Sequence, residues 1–265
     1  MHALLEKQPI AIRELAARIE TEAKVTIEVV RSAPLHTDGN FAKAPAGCGI
    51  DDNLRCAILI FNDELTPESA AHELAHLERW LIDGVPRLFF KPEFIPNIQP
   101  TEYAGTSLWF ENRLEHFHVF RRMKDLGVDP TKGLNVEMGK QWADITAKFA
   151  KTALLASVPT GSNTANLHEN LTPIGYLGTH LDYCITRRFV DDPAVRSCAT
   201  DFMENRGLLI SARALDRRLN STLHDKKETA RMLIRELRLP RDTAYLKYFN
   251  GPAKTVKVVK VWQSV

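Results

Sequence analysis

A chain of 265 residues is long enough to bury a substantial core, either as one large domain or as a compact domain with a helical extension. A formal charge of +2, with no long block of like charge, gives no strong drive toward nucleic acid or an anionic membrane. The four cysteines, Cys48, Cys56, Cys184 and Cys198, are widely spaced and form no Cys-x-x-Cys pair, which argues against a zinc knuckle or a dense disulfide framework and for free thiols.

The first residues, Met1 to Pro9, are too charged for a secretory signal, and no apolar run reaches the length of a bilayer span, so a cytoplasmic protein is expected. From Ile10 to Ala23 the apolar residues Ile12, Leu15, Ala16 and Ile19 recur at helical spacing. Lys24 to Val30 then alternates apolar and polar residues, as a half-buried strand does. Pro34, Gly39, Pro45, Gly47 and Gly49 make residues 32–53 read as a long loop. Cys56 to Phe61 is apolar enough for a buried strand, and a short polar turn, Asn62-Asp63-Glu64, follows it.

The next segment carries the chemistry. Thr66 suits an N-cap, Pro67 the first helical position and Glu68 the acidic first turn, so a helix is predicted to begin here. Within it runs His72-Glu73-Leu74-Ala75-His76. Residues four apart on a helix share a face, so His72 and His76 can direct two imidazoles at one metal ion, with Glu73 beside them. Ala70, Ala71, Leu74, Ala75 and Leu77 give the helix apolar surface on several sides, unlike a solvated helix with incidental histidines.

This His-Glu-x-x-His pattern resembles the zincin metallopeptidases. Together with the strand from Ala57 to Phe61 and the turn at Asn62, it is similar to the strand-turn-helix of ImmA/IrrE-type enzymes, which are intracellular zinc peptidases. The resemblance implies an α+β fold: a zincin-like core, with a small β-sheet packed on the histidine helix and on a glutamate-bearing helix. It also implies Zn2+ as cofactor, His72 and His76 as ligands, Glu73 as general base, and a protein or peptide substrate. The longer metzincin motif is absent, because Arg79, Trp80, Leu81 and Ile82 follow His76.

Gly84 and Pro86 should stop the histidine helix, Arg87 to Phe90 reads as a short strand or apolar turn, and Pro92, Pro96 and Pro100 suggest an irregular crossing. A long helix is predicted from Tyr103 to Met123, ending near Gly127. A catalytic zinc site normally has three protein ligands, so this helix is expected to supply the third. Glu111 and Glu115 share one of its faces. The order Asn112-Arg113-Leu114-Glu115 resembles an Asn-x-x-Glu pattern of bacterial His-Glu-x-x-His families and favours Glu115 over Glu111, with His116 as a third choice. His118, Tyr103, Tyr176, His180 and Tyr183 are candidates for stabilising an oxyanion, His118 being equally suited to an interior position.

Beyond Val128 the chain reads as mainly helical, which suggests a metallopeptidase core over 1–128 and a helical region over 129–265 packed on it. Trp142, Ile145, Phe149 and Ala153 have helical spacing, Pro159 to Asn166 is a polar loop, and Thr179 to Arg188 is a further helix. Asp192-Pro193 opens another, which Gly207 ends, and Leu209 to Leu237 makes one or two more. The basic residues of this last stretch alternate with Asp216, Asp225, Glu228 and Glu236, so a solvated face is a better reading than a nucleic-acid surface. The tail from Lys254 to Trp262 is β-prone and suits an edge strand. Two other functions fit the same residues: a zincin-like regulatory or binding protein with a structural or vestigial metal site, or a nucleic-acid or partner-binding helical module after Val128 with the peptidase as its effector domain.

Overall fold

The computed structural model describes residues 2–31, 46–51, 53–91, 100–156, 173–236 and 240–262, with side chains outside 100–110, 148–156 and 173–176. The fold is α+β, with two small sheets among helices. After a short turn of helix α1 (Ala3–Glu6), helix α2 (Ile10–Ala23) buries Ile12, Leu15, Ala16 and Ile19, the residues whose spacing predicts it. Lys24, in the left-handed conformation, turns the chain into strand β1 (Thr26–Arg31).

The first sheet has the order β1-β3-β2, with β3 (Cys56–Phe61) central, parallel to β1 and antiparallel to β2 (Ala46–Ile50). Strand β2 falls inside the stretch expected to be a loop. Gly47 and Gly49 weaken its own β tendency, but β3 offers a full row of partners, in a register that sets Cys48 opposite Leu59. Residues 32–45 of that expected loop lie outside the described residues, as does the polar stretch from 159 to 166.

Helix α3 (Pro67–Leu81) starts as its sequence dictates: the Thr66 hydroxyl accepts a hydrogen bond from the Ser69 amide at 3.2 Å, and Pro67 occupies the first turn. Ala70, Ala71, Leu74, Ala75 and Leu77 are fully buried, because α3 packs between α2, β2 and helix α4 (Pro100–Asp125). Burial of Leu74 and Leu77 alone contributes about 2 kcal/mol each. Gly84, at φ 65°, lets the chain leave the helix for strand β4 (Arg87–Phe90).

Ion pairs set α4 against α3. Buried Glu78 on α3 accepts from Arg122 on α4 at 2.7 and 2.9 Å, and from Arg18 on α2 at 2.8 Å. One carboxylate thus holds three helices.

The rest of the chain is woven into the same core. Helices α5 (Thr131–Ala156), α6 (Pro173–Phe189), α7 (Pro193–Asn205), α8 (Leu209–Thr222) and α9 (Lys226–Glu236) follow in order. Asp192 caps α7 through the amides of Ala194 and Val195, as its Asp-Pro start suggests. Buried Trp142 on α5 donates to Thr186 on α6 at 2.9 Å. Strands β5 (Ala244–Asn250) and β6 (Thr255–Lys260) form a hairpin, and β5 pairs with β4 to complete a second antiparallel sheet, β4-β5-β6. The β-prone tail is therefore the edge of a second sheet, and the strand it pairs with begins before Lys254. The turn of that hairpin rests on α2: the Lys254 ammonium donates to the carbonyls of Leu54, at 2.6 Å, and Lys24. Residues from both sides of position 128 thus share one hydrophobic core.

No helix among the described residues is long and apolar enough to cross a membrane. The four cysteines are free.

Candidate metal centre

Histidines 72 and 76 lie one turn apart on α3, with ring centroids 5.0 Å apart. The third member of the group is His116 on α4, whose ring centroid is 4.9 Å from that of His72 and 5.9 Å from that of His76. One donor atom from each ring can be chosen so that all three lie within 4.8 Å of one another. Imidazole nitrogens held at about 2.0–2.1 Å by a tetrahedral ion place their ring centres about 5 Å apart, close to the spacing seen here.

The nitrogens of two of these rings have nowhere else to go. His76 is 2% and His116 4% exposed, and neither nitrogen of either ring has a hydrogen-bond partner. A buried polar atom left unsatisfied costs about 1–3 kcal/mol, so two such rings side by side are expensive unless something else takes a lone pair. Burial pushes both imidazoles well below their ordinary pKa, with the neighbouring histidines adding to the effect. They are therefore neutral near pH 7, the form that binds a metal. On these grounds the residues fit a metal ion. Phe120 closes one side, 4.6 Å from the ring of His116 and 5.9 Å from that of His72. Trp80 closes another, 5.4 Å from His76, with the Arg87 guanidinium 4.3 Å from its ring.

Glu115, the expected third ligand, is engaged elsewhere. Its carboxylate accepts from Arg79 on α3 at 2.6 Å and is paired with the ammonium of Lys226, the first residue of α9. Although burial pushes its pKa up, Lys226 and Arg79 together bring it below the usual carboxylate range. Glu111 shares Lys226 through a contact of 3.1 Å, and its second oxygen, Oε2, has no partner. Burial wins there and raises its pKa. The arrangement has a simple physical cause. Successive helical residues point about 100° apart, so when α4 turns His116 toward the α3 histidines it turns Glu115 toward Arg79 and Lys226.

Glu73 is 8% exposed and meets a residue that the sequence left unremarked as a site residue. Cys48 on β2 places its thiol beside the Glu73 carboxylate. Enclosure of the thiol and this carboxylate both raise the Cys48 pKa well above its ordinary value, so the thiol stays protonated. Its position was hidden because β2 reads as a loop.

The other oxyanion candidates fall into two groups. His118 is hydrogen-bonded through Nε2 to the Leu223 carbonyl at 3.0 Å, and His180 through Nε2 to the Ser211 hydroxyl at 2.8 Å, while Tyr183 is buried in the core. The side chains of Tyr103 and Tyr176 lie outside the described residues.

Fold and site together define an α+β protein with a buried three-histidine group, two of whose members belong to a His-Glu-x-x-His helix. No family model, curated protein or solved structure matches the chain.

Proposed function

We propose that the protein is a zinc-dependent metallopeptidase that hydrolyses peptide bonds of a protein or peptide substrate. The observation that carries this reading is the convergence of His72, His76 and His116, with both nitrogens of His76 and His116 unpartnered, beside a glutamate in the His-Glu-x-x-His position. Three imidazole ligands would leave a fourth tetrahedral position for water, as in catalytic zinc sites. Bound there, zinc would act as a Lewis acid and draw the pKa of a water toward neutrality.

Within this reading the protein side chains do the proton work. Glu73 takes the proton of the attacking water and returns it to the leaving amine. The protonated thiol of Cys48 stands beside that carboxylate. Glu115, paired with Arg79 and Lys226, is a positioning residue: it braces the α4 turn that carries His116. Phe120 and Trp80 limit solvent around the imidazoles.

Replacing Glu73 with Gln tests the assignment. The variant should keep one zinc per chain by elemental analysis and lose zinc-dependent cleavage of a fluorescent, unfolded casein by at least about 10²-fold, the low end of what a general base contributes. Cleavage at the wild-type rate would remove Glu73 from the chemistry. Zinc-loaded wild-type protein without activity would favour a structural metal site.

A further inference from the structure

A second feature lies on the opposite side of Phe120 from the histidines. Phe120 packs on His116 on one side and, at 5.4 Å, on Phe189 at the end of α6 on the other. Phe189 lines a surface recess of about 460 Å³ together with Arg121, Arg187, Arg188, Asp216 and Asn220. The volume falls within the range of small-molecule sites.

The charge of this recess is unbalanced. Three guanidiniums face one carboxylate, for a formal charge of +2. Arg188 is the fixed member: it contacts Asp216 at 2.6 and 2.9 Å, donates to the Asp216 carbonyl at 3.0 Å and lies 4.8 Å from the ring of Phe117. Asp216 is thereby nearly used up, since Arg187 reaches it only at 3.4 Å. Arg121 is exposed and has no carboxylate partner among the described residues. Arginines buried or half-buried against the core are matched by carboxylates. Arg79 has Glu115, Arg122 has Glu78, and Arg113 has both Asp182 and Glu137. Here two exposed guanidiniums project from different helices, α4 and α6, at the rim of one concavity.

We infer that this recess binds a small organic or inorganic oxyanion, a phosphate or carboxylate group held between Arg121 and Arg187 against the fixed Arg188–Asp216 pair. Planar guanidiniums match such groups with paired N–H donors, and Asn220 adds a neutral polar side chain at the rim. The inference is independent of the hydrolytic reading, because none of these residues belongs to the histidine group.

The test is calorimetric titration of the full chain with inorganic pyrophosphate and, separately, with citrate, each against sodium chloride of matched ionic strength. Saturable binding of at least one is expected, and the stronger of the two assigns the group as phosphate or carboxylate. The double variant Arg121→Ala/Arg187→Ala should bind about tenfold more weakly or worse, and so should the single charge reversal Arg121→Glu, which breaks no ion pair among the described residues. Arg55→Ala, at an exposed position just before β3, should bind like wild type. Absence of saturable binding, or equal affinity in wild type and double variant, overturns the inference. Casein cleavage would remain unaffected by that outcome, so the two conclusions fail separately.

Discussion

The identity of the third ligand separates His116 from Glu115, and two substitutions distinguish them. In His116→Ala one of three converging imidazoles is lost. Four-ligand zinc sites bind with about 10–16 kcal/mol, so one ligand is worth on the order of 3–4 kcal/mol, or roughly 10²–10³-fold in Kd. The metal-free protein should suffer less than an ordinary core truncation. Loss of packing on Phe120 is offset by removal of two unsatisfied ring nitrogens, worth about 1–3 kcal/mol each. Glu115→Gln should behave in the opposite way: it keeps zinc but removes a buried charge from between Arg79 and Lys226, at a cost of about 3–5 kcal/mol. Zinc competition against a chelating dye gives the affinities, and urea unfolding of the chelated proteins gives the stabilities. Tight zinc binding in His116→Ala together with zinc loss in folded Glu115→Gln would refute the three-histidine site.

Three further outcomes follow from the packing. Lys226→Met should destabilise the protein by about 3–5 kcal/mol in urea unfolding, because it leaves the carboxylates of Glu111 and Glu115 buried without their shared cation; a loss below about 1 kcal/mol would mean that α9 does not brace the site. Burial lowers the pKa of His118 from an ordinary 6.5 to about 4, so the folded protein binds this proton less readily than the unfolded chain. The stabilisation is complete above pH 6.5 and is lost as pH falls from 6.5 to 4, on the order of 2 kcal/mol after allowing for partial exposure, and His118→Gln should flatten that part of the stability-pH curve. In Gly251→Ala the new Cβ would lie 2.3 Å from the Ala23 carbonyl oxygen, a backbone clash. It should cost about 1–3 kcal/mol or more and show first as faster amide exchange in β5 and β6.

Local signals account for the parts of the structure that sequence reading recovers. Thr66 and Pro67 start α3, Gly84 and Gly127 release the chain from α3 and α4, Asp192 and Pro193 start α7, and the apolar spacing of α2 marks its buried face. Each depends on residues within a few positions of one another. Strand β2 escapes because its hydrogen bonds come from β3, and with it goes Cys48 and its contact with Glu73. The hairpin of β5 and β6 joins β4 across more than 150 residues, and residues on both sides of 128, where the chain turns mainly helical, belong to one core.

What the sequence by itself determined is the pair His72 and His76 with Glu73 between them, because a fixed helical repeat places i and i+4 on one face wherever the helix goes. Only the tertiary structure decided which side chain of α4 meets them. Glu115 and His116 are neighbours about 100° apart on that helix, and a modest rotation about its axis exchanges one for the other. The rotation is set from outside the helix, by Glu78 holding Arg122, by Arg79 and Lys226 enclosing Glu115, and by Phe120 seated between His116 and Phe189. Those partners lie on α3, α9 and α6, and folding alone brings them to one place.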